Sequence, residues 1–193
     1  MVTSLGGDPQ KKTIVWLPTW RALSSVGHFN TEIAELAKTC NVIVKVHPLM
    51  VDDEPWRVAE LEVLGFTRVI KDARDNVPLY QIADVMLFDY GGPPFGAIHA
   101  GKHFVLLNVP GAARDHHTGP GSTDIELRKY LWSIDPGSSD LLRIADSELS
   151  WARHEVICEA LDALYFAPLH GRSAAAAASA IRDQSWIDGK GPR

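Results

Sequence analysis

A chain of 193 residues with 46% hydrophobic and 22% charged residues is long enough for one α/β domain with a full core. Its net charge of −5, with no long basic run, argues against double-stranded nucleic acid as a main partner. Two scattered cysteines, Cys40 and Cys158, suit neither a disulfide framework nor a zinc site, and no stretch approaches the ~20 apolar residues of a membrane span. With no apolar leader in MVTSLGGDPQKK, the expected location is cytoplasmic, with at most peripheral association at the inner face of a membrane.

Residues 1–11 are polar and are expected to be flexible. Thr13–Leu17 reads as a first strand, stopped by Pro18. Asn30 is placed to cap a helix to about Lys38, with an apolar stripe at Ile33, Ala34, Leu36 and Ala37. Val42–Val46 makes a second strand before His47-Pro48, and Asp53 is placed to cap a helix from Glu54 to Leu64 that ends at Gly65. Thr67–Ile70, Val85–Phe88 and Phe104–Leu107 read as further strands, with a short helix over Pro78–Ala83. Pro110–Thr123 is glycine-rich and polar, a candidate mobile loop. Helices follow near Trp151–Tyr165 and Ser173–Trp186, and 187–193 reads as a flexible tail. Strands separated by helices predict right-handed βαβ units: a single Rossmann-like parallel sheet with helices on both faces.

Ligands of such sheets sit beyond the carboxyl ends of the strands. There the chain carries Thr19, Trp20 and Arg21 after strand one, and Lys45 and His47 at the end of strand two. Asp72 and Arg74 follow strand three, Asp89 to Gly92 strand four, and Asn108 strand five. The run Asp84-Val-Met-Leu-Phe-Asp-Tyr-Gly-Gly92 is the most informative: a buried strand stops against two glycines, and a helix can start at Phe95. Backbone amides of Gly91 and Gly92, with the helix N-terminus behind them, predict an anion site. His47 reads either as a strand-end histidine bonded to backbone or, beside Lys45 and Arg21, as a phosphate donor or general acid. Asp89 divides between a turn former and a ligand, and Trp20 is placed to stack on a base. Arg172-Ser173 reads as a surface arginine and N-cap, or as a second phosphate grip. His116-His117 has no ligand partner at metal spacing, and no metal or other cofactor is required by the pattern.

Three segments resemble successive motifs of the CDP-glycerol glycerophosphotransferase family, the teichoic-acid primases and polymerases: Thr13–Arg21, Val42–Leu49 and Leu79–Tyr90. The resemblance covers about Lys12 to Val109, and Tyr165–Ser173 is similar to the family's turn before its last helix. It implies the carboxyl lobe of a GT-B architecture, which holds a CDP-alditol donor while an amino lobe contributes the acceptor side. The implied activity is transfer of an alditol phosphate to a hydroxyl of a cell-surface polymer with release of CMP. His47 would act as phosphate ligand or general acid, and Thr19, Arg21, Lys45, Asp89, Gly91, Gly92, Arg172 and Ser173 would contact the donor. Four positions depart from the family's pattern: Gly91-Gly92 stands where a serine pair is usual, Gly96 where an aspartate is usual, and Ala22 where an acid is common. Two alternatives stand beside this reading: a sugar-nucleotide glycosyltransferase or epimerase lobe, and a non-catalytic lobe binding a nucleotide or a partner. The expected partners are a nucleotide-activated alditol, a polymer acceptor, and a second lobe or second copy of the chain.

Overall fold

A computed structural model of the chain describes residues 2–73, 75–116, 118–146, 148–166 and 169–182. Six strands, β1 (Thr13–Leu17), β2 (Asn41–Lys45), β3 (Arg68–Ile70), β4 (Val85–Phe88), β5 (Phe104–Leu107) and β6 (Ser133–Ile134), form one parallel sheet in the order β3-β2-β1-β4-β5-β6. The four inner strands are buried along their whole length, which is why their sequences are near-continuous apolar runs rather than alternations. The register sets Val15 between Ile43 and Met86.

The helices are α1 (Asn30–Leu36), α2 (Pro48–Asp53), α3 (Pro55–Glu62), α4 (Val77–Ile82), α5 (Pro93–His99), α6 (Thr123–Leu127), α7 (Ala152–Tyr165) and α8 (Ser173–Arg182). Alternate strand residues point to opposite faces, so the core is two layers. Ile14, Trp16, Val42, Val44, Leu87 and Val105 pack with Phe29, Ile33 and Leu36 of the α1 region, Met50 of α2 and Leu61 of α3. Val15, Ile43, Met86, Phe88 and Leu106 pack on the other face with Leu79 of α4, Ala97 and Ile98 of α5, and Cys158 of α7. This is the Rossmann-like sheet covered on both faces that the strand–helix alternation predicts. No helix among the described residues is long and apolar enough to cross a membrane.

Several local expectations are corrected. Asn30 does not cap α1: its Oδ1 accepts from the Gly27 N–H at 2.9 Å, closing the turn before the helix. The helix predicted over Glu54–Leu64 is α3, Pro55–Glu62, and a further short helix, α2, precedes it over Pro48–Asp53. Glu54 breaks them apart, and Asp53 pairs with Arg21 instead of capping. Residues 2–11 are tied down. Asn41 accepts from the Asp8 N–H at 2.8 Å and donates to Asp8 O, while Leu5 packs on the second core layer. The glycine-rich loop is pinned by buried Ala112 and by buried Thr118, whose hydroxyl donates to Ala112 O. The strand β6 carries only two residues, too few to leave a period in the sequence. Arg74, His117, Ala167, Pro168 and residues 183–193, with the end of the last predicted helix and the tail, lie outside the described residues.

Candidate functional site

The strand order reverses direction between β1 and β4, and a cleft of about 180 Å³ opens at their carboxyl ends. It is lined by Thr19 after β1, Lys45 and His47 at the end of β2, Asn76 before α4, and Tyr90, Gly91 and Gly92 after β4. Such a crevice at the reversal point is where open α/β sheets hold ligands. Five of the nine residues singled out from the sequence therefore meet in one place, and Asn76, which the sequence reading passed over, joins them. Its position before a helix in the loop after a strand was the available signal.

Lys45 is 92% withdrawn from solvent, and its Nζ donates to Asn76 Oδ1 at 2.6 Å. Burial lowers its pKa, with Asp72 and Asp75 pulling the other way. His47 caps α2: its Nδ1 accepts from the Leu49 N–H at 3.2 Å. The ring stacks on Trp20 with 9° between planes and centroids 5.7 Å apart. Burial, and then the Lys45 charge, push its pKa below the ordinary 6.5. With Nδ1 accepting, a neutral His47 carries its proton on Nε2 and acts as a hydrogen-bond donor. Lys45 thus acts on His47 as a neighbouring positive charge, within reach of the Asp72 and Asp75 carboxylates.

Asp89 is not a ligand. Fully buried, its carboxylate accepts from the N–H groups of Thr19 (2.8 and 3.0 Å), Ser25 (2.7 Å) and Tyr90 (2.8 Å), and from the Ser25 hydroxyl (2.8 Å). Burial pushes its pKa up to about 6 against the pull of these donors. Its work is to tie the loop after β1 to the turn after β4.

The glycine turn is weaker as an anion nest than the sequence suggests. Pro93 and Pro94 open α5, so its first turn lacks two amides, and the Gly91 N–H donates to Asp124 Oδ1 at 2.9 Å. The Gly92 N–H is left without a partner among the described residues. Gly91 has φ +106°, so a serine there would be strained, whereas Gly92 has an ordinary φ of −71° and open space beyond its Cα. Behind the turn, Arg128 lies over the Tyr90 ring at 3.8 Å and donates to Asn108 Oδ1 and to the carbonyls of Asp89, Leu107 and Asp124. Nothing in the sequence marks this brace.

Arg21 stands at the rim rather than in the cleft. Its guanidinium lies 4.0 Å from the Trp20 ring centroid and pairs with Asp53 at 2.9 Å. Its φ of +58° makes it the one non-glycine residue with positive φ among those described. Glu54 holds its N–H at 2.7 Å and Arg57 its carbonyl at 3.1 Å, so the strain, ~1–3 kcal/mol, is imposed by the junction of α2 and α3. Arg172 and Ser173 do not reach the cleft. Ser173 begins α8 and Arg172 precedes it, close in sequence to His170, whose ring lies 4.3 Å from that of His99 at the far end of α5.

The chain and its fold have counterparts among known proteins. Residues 1–95 match the family model for CDP-Glycerol:Poly(glycerophosphate) glycerophosphotransferase. Among solved structures, the wall teichoic acid polymerase TagF superposes with a TM-score of 0.57 at 15% identity, over 83% of this chain and 40% of that one. A histidine-to-alanine variant of TagF gives 0.62 at 13%, over 97% and 47%. A histidine-to-asparagine variant soaked with CDPG for 15 minutes gives 0.59 at 16%, over 83% and 38%. The chain thus spans less than half the length of these structures and shares their fold. No curated protein matches it.

Proposed function

We propose that this chain is a member of the CDP-glycerol glycerophosphotransferase family, whose model matches residues 1–95, and that its cleft binds the diphosphate of a CDP-alditol donor. The observation that carries the reading is the meeting of Lys45, His47, Thr19, Asn76 and the Gly92 amide in one cleft at the reversal of the sheet. A buried ammonium and a neutral imidazole donor suit phosphoryl oxygens, because both stabilise charge without needing water to reorganise.

In the reaction, a hydroxyl oxygen of the acceptor attacks the phosphorus of the alditol phosphate. The bond from that phosphorus to the bridging oxygen breaks, and CMP departs with the electron pair. Lys45 and the His47 Nε2–H stabilise the charge that grows on the phosphoryl oxygens. A departing phosphate needs no proton, so His47 serves as donor and the general-acid role is set aside. The acceptor's proton goes to a group outside this cleft, since Asp89 is enclosed and Lys45 is cationic. Cell-surface polymer synthesis, the acceptor side on a second lobe or second copy, and a cytoplasmic site at the membrane's inner face complete the proposal.

Calorimetric titration with CDP-glycerol, CMP, UDP-N-acetylglucosamine and UMP tests it, on the native chain and on Lys45→Met and His47→Ala. Cytidine-selective binding weakened about tenfold or more by each substitution is expected, since one hydrogen bond to a charged group contributes ~1.5–3 kcal/mol. Preference for the uridine compounds would move the assignment to a sugar-nucleotide enzyme. Absence of nucleotide binding would overturn the donor-lobe reading.

A further inference from the structure

Away from the cleft, three residues far apart in sequence converge at the outer end of α5: His99 on that helix, Asp162 on α7, and His170 in the turn before α8. One candidate ligand atom from each lies within 4.8 Å of the others. His99 Nδ1 stands 3.3 Å from Asp162 Oδ1, and His170 Nε2 stands 3.4 Å from Asp162 Oδ2. These separations are long for charge-assisted hydrogen bonds, which run ~2.7–2.9 Å. Each is close to the ligand–ligand edge of a tetrahedron around a zinc ion, ~3.3–3.5 Å for metal–ligand bonds of about 2.0–2.1 Å, with the two histidines approaching different oxygens of the Asp162 carboxylate. We propose that His99, Asp162 and His170 form a binding site for a divalent first-row transition ion, with Zn²⁺ as the best match.

Two imidazoles and one carboxylate are borderline ligands that suit zinc and disfavour magnesium or calcium. A fourth position remains for water, on the side of a groove of about 480 Å³ lined by His99, Asp162, Glu155 and Glu159. The placement also gives the ion a task. No described residue of α8 is buried, so apolar packing does little to fix that helix. A metal bridging His170 to His99 and Asp162 joins the turn before α8 to both α5 and α7, and metal-binding free energy becomes free energy of docking.

The test is titration of the metal-stripped full chain with Zn²⁺ by calorimetry and with Co²⁺ by visible absorption. One equivalent and a tetrahedral Co²⁺ spectrum are expected. His99→Ala, Asp162→Asn and His170→Ala should each weaken binding at least about tenfold, given that loss of even an outer partner costs ~10–100-fold. His28→Ala, which removes an exposed histidine elsewhere, should leave it unchanged. Zn²⁺ should also slow tryptic cleavage after Arg172 in the native chain and not in His170→Ala. Affinity unaltered in all three variants, or lost in His28→Ala, would overturn the site.

Discussion

The Asp124 carboxylate holds the Gly91 amide at 2.9 Å, where an anion bound at this turn would sit. It also places a negative charge beside the cleft proposed to hold a diphosphate. Asp124→Ala removes both obstacles and leaves the Arg128 brace, which uses the Asp124 backbone carbonyl. Pyrophosphate and CDP-glycerol should bind that variant about tenfold more tightly, the equivalent of ~1.4 kcal/mol for one charge-assisted bond. Unchanged or weaker affinity by calorimetry would mean that Asp124 does not compete with the ligand. His47 adds a pH signature. Its pKa lies below 6.5 in the free chain, so it is neutral at pH 7, and a bound diphosphate raises that pKa by stabilising the imidazolium. Proton uptake is then linked to binding. Affinity should be flat above neutral pH and rise as pH falls below 6.5, a rise that His47→Gln abolishes. His154 carries the opposite kind of proton linkage, in stability. Packed against Phe104 and Trp151, with Nδ1 buried and unpaired, it has a pKa driven by burial down to about 4. The unfolded chain takes the proton first, so stability is whole above 6.5 and is lost as pH falls toward 4, by at most about 3 kcal/mol from this group. Chemical denaturation at pH 7 and 4.5 should show that loss shrinking in His154→Leu. The Cys158 thiol 3.3 Å from the same ring is pushed up to about 11 by burial, which disfavours the thiolate a nucleophile needs.

The entry to α5 explains the chain's departure from the family pattern at Gly96. A Cβ there would lie 2.7 Å from the Tyr80 hydroxyl, which donates to Pro93 O at 2.8 Å and so fixes α4 against the start of α5. Gly96→Ala gains ~1 kcal/mol of helix propensity and meets an overpacking cost of ~1–3 kcal/mol, so a net loss is expected. In a Tyr80→Phe background the hydroxyl contact is gone and the loss should diminish, a coupling that a double-mutant cycle in urea reads directly. Equal effects of Gly96→Ala in both backgrounds would separate the two residues. The same elements show what was legible beforehand. Thr13–Leu17, Val85–Phe88 and Phe104–Leu107 are strands over the predicted residues because an inner parallel strand must be apolar on both faces. What escaped is what side chains do at loop ends. Asp89 and Asp53 are good turn or cap residues by type, yet each is spent on a partner that only the tertiary fold brings near, and Asn30 closes the turn ahead of α1 instead of capping it. The sequence likewise shows Gly91-Gly92 but not that Asp124, 33 residues on, already occupies one of the amides.

For the molecule as a whole, the size of the cleft is the constraint. About 180 Å³ accommodates a diphosphate, whereas pockets that enclose a drug-sized ligand run ~300–1,000 Å³. With the diphosphate held as proposed, the nucleoside and alditol would extend past the cleft, the base toward the Trp20 rim and the alditol toward solvent. In the proposed binding mode water would reach the transferring phosphorus, and none of the described residues positions an acceptor hydroxyl against it. Holding the acceptor in line contributes a large part of any phosphoryl-transfer rate, and that part has to come from a second body. The chain alone should bind CDP-glycerol yet release CMP no faster than the uncatalysed reaction while it is monomeric. If a second copy completes the site, turnover per chain rises with concentration and tracks the dimer fraction measured by light scattering. If a separate lobe completes it, turnover stays absent at every concentration until that polypeptide is added. CMP release strictly proportional to chain concentration, in a sample that light scattering shows to be monomeric throughout, would mean that one lobe suffices and would overturn the argument from volume.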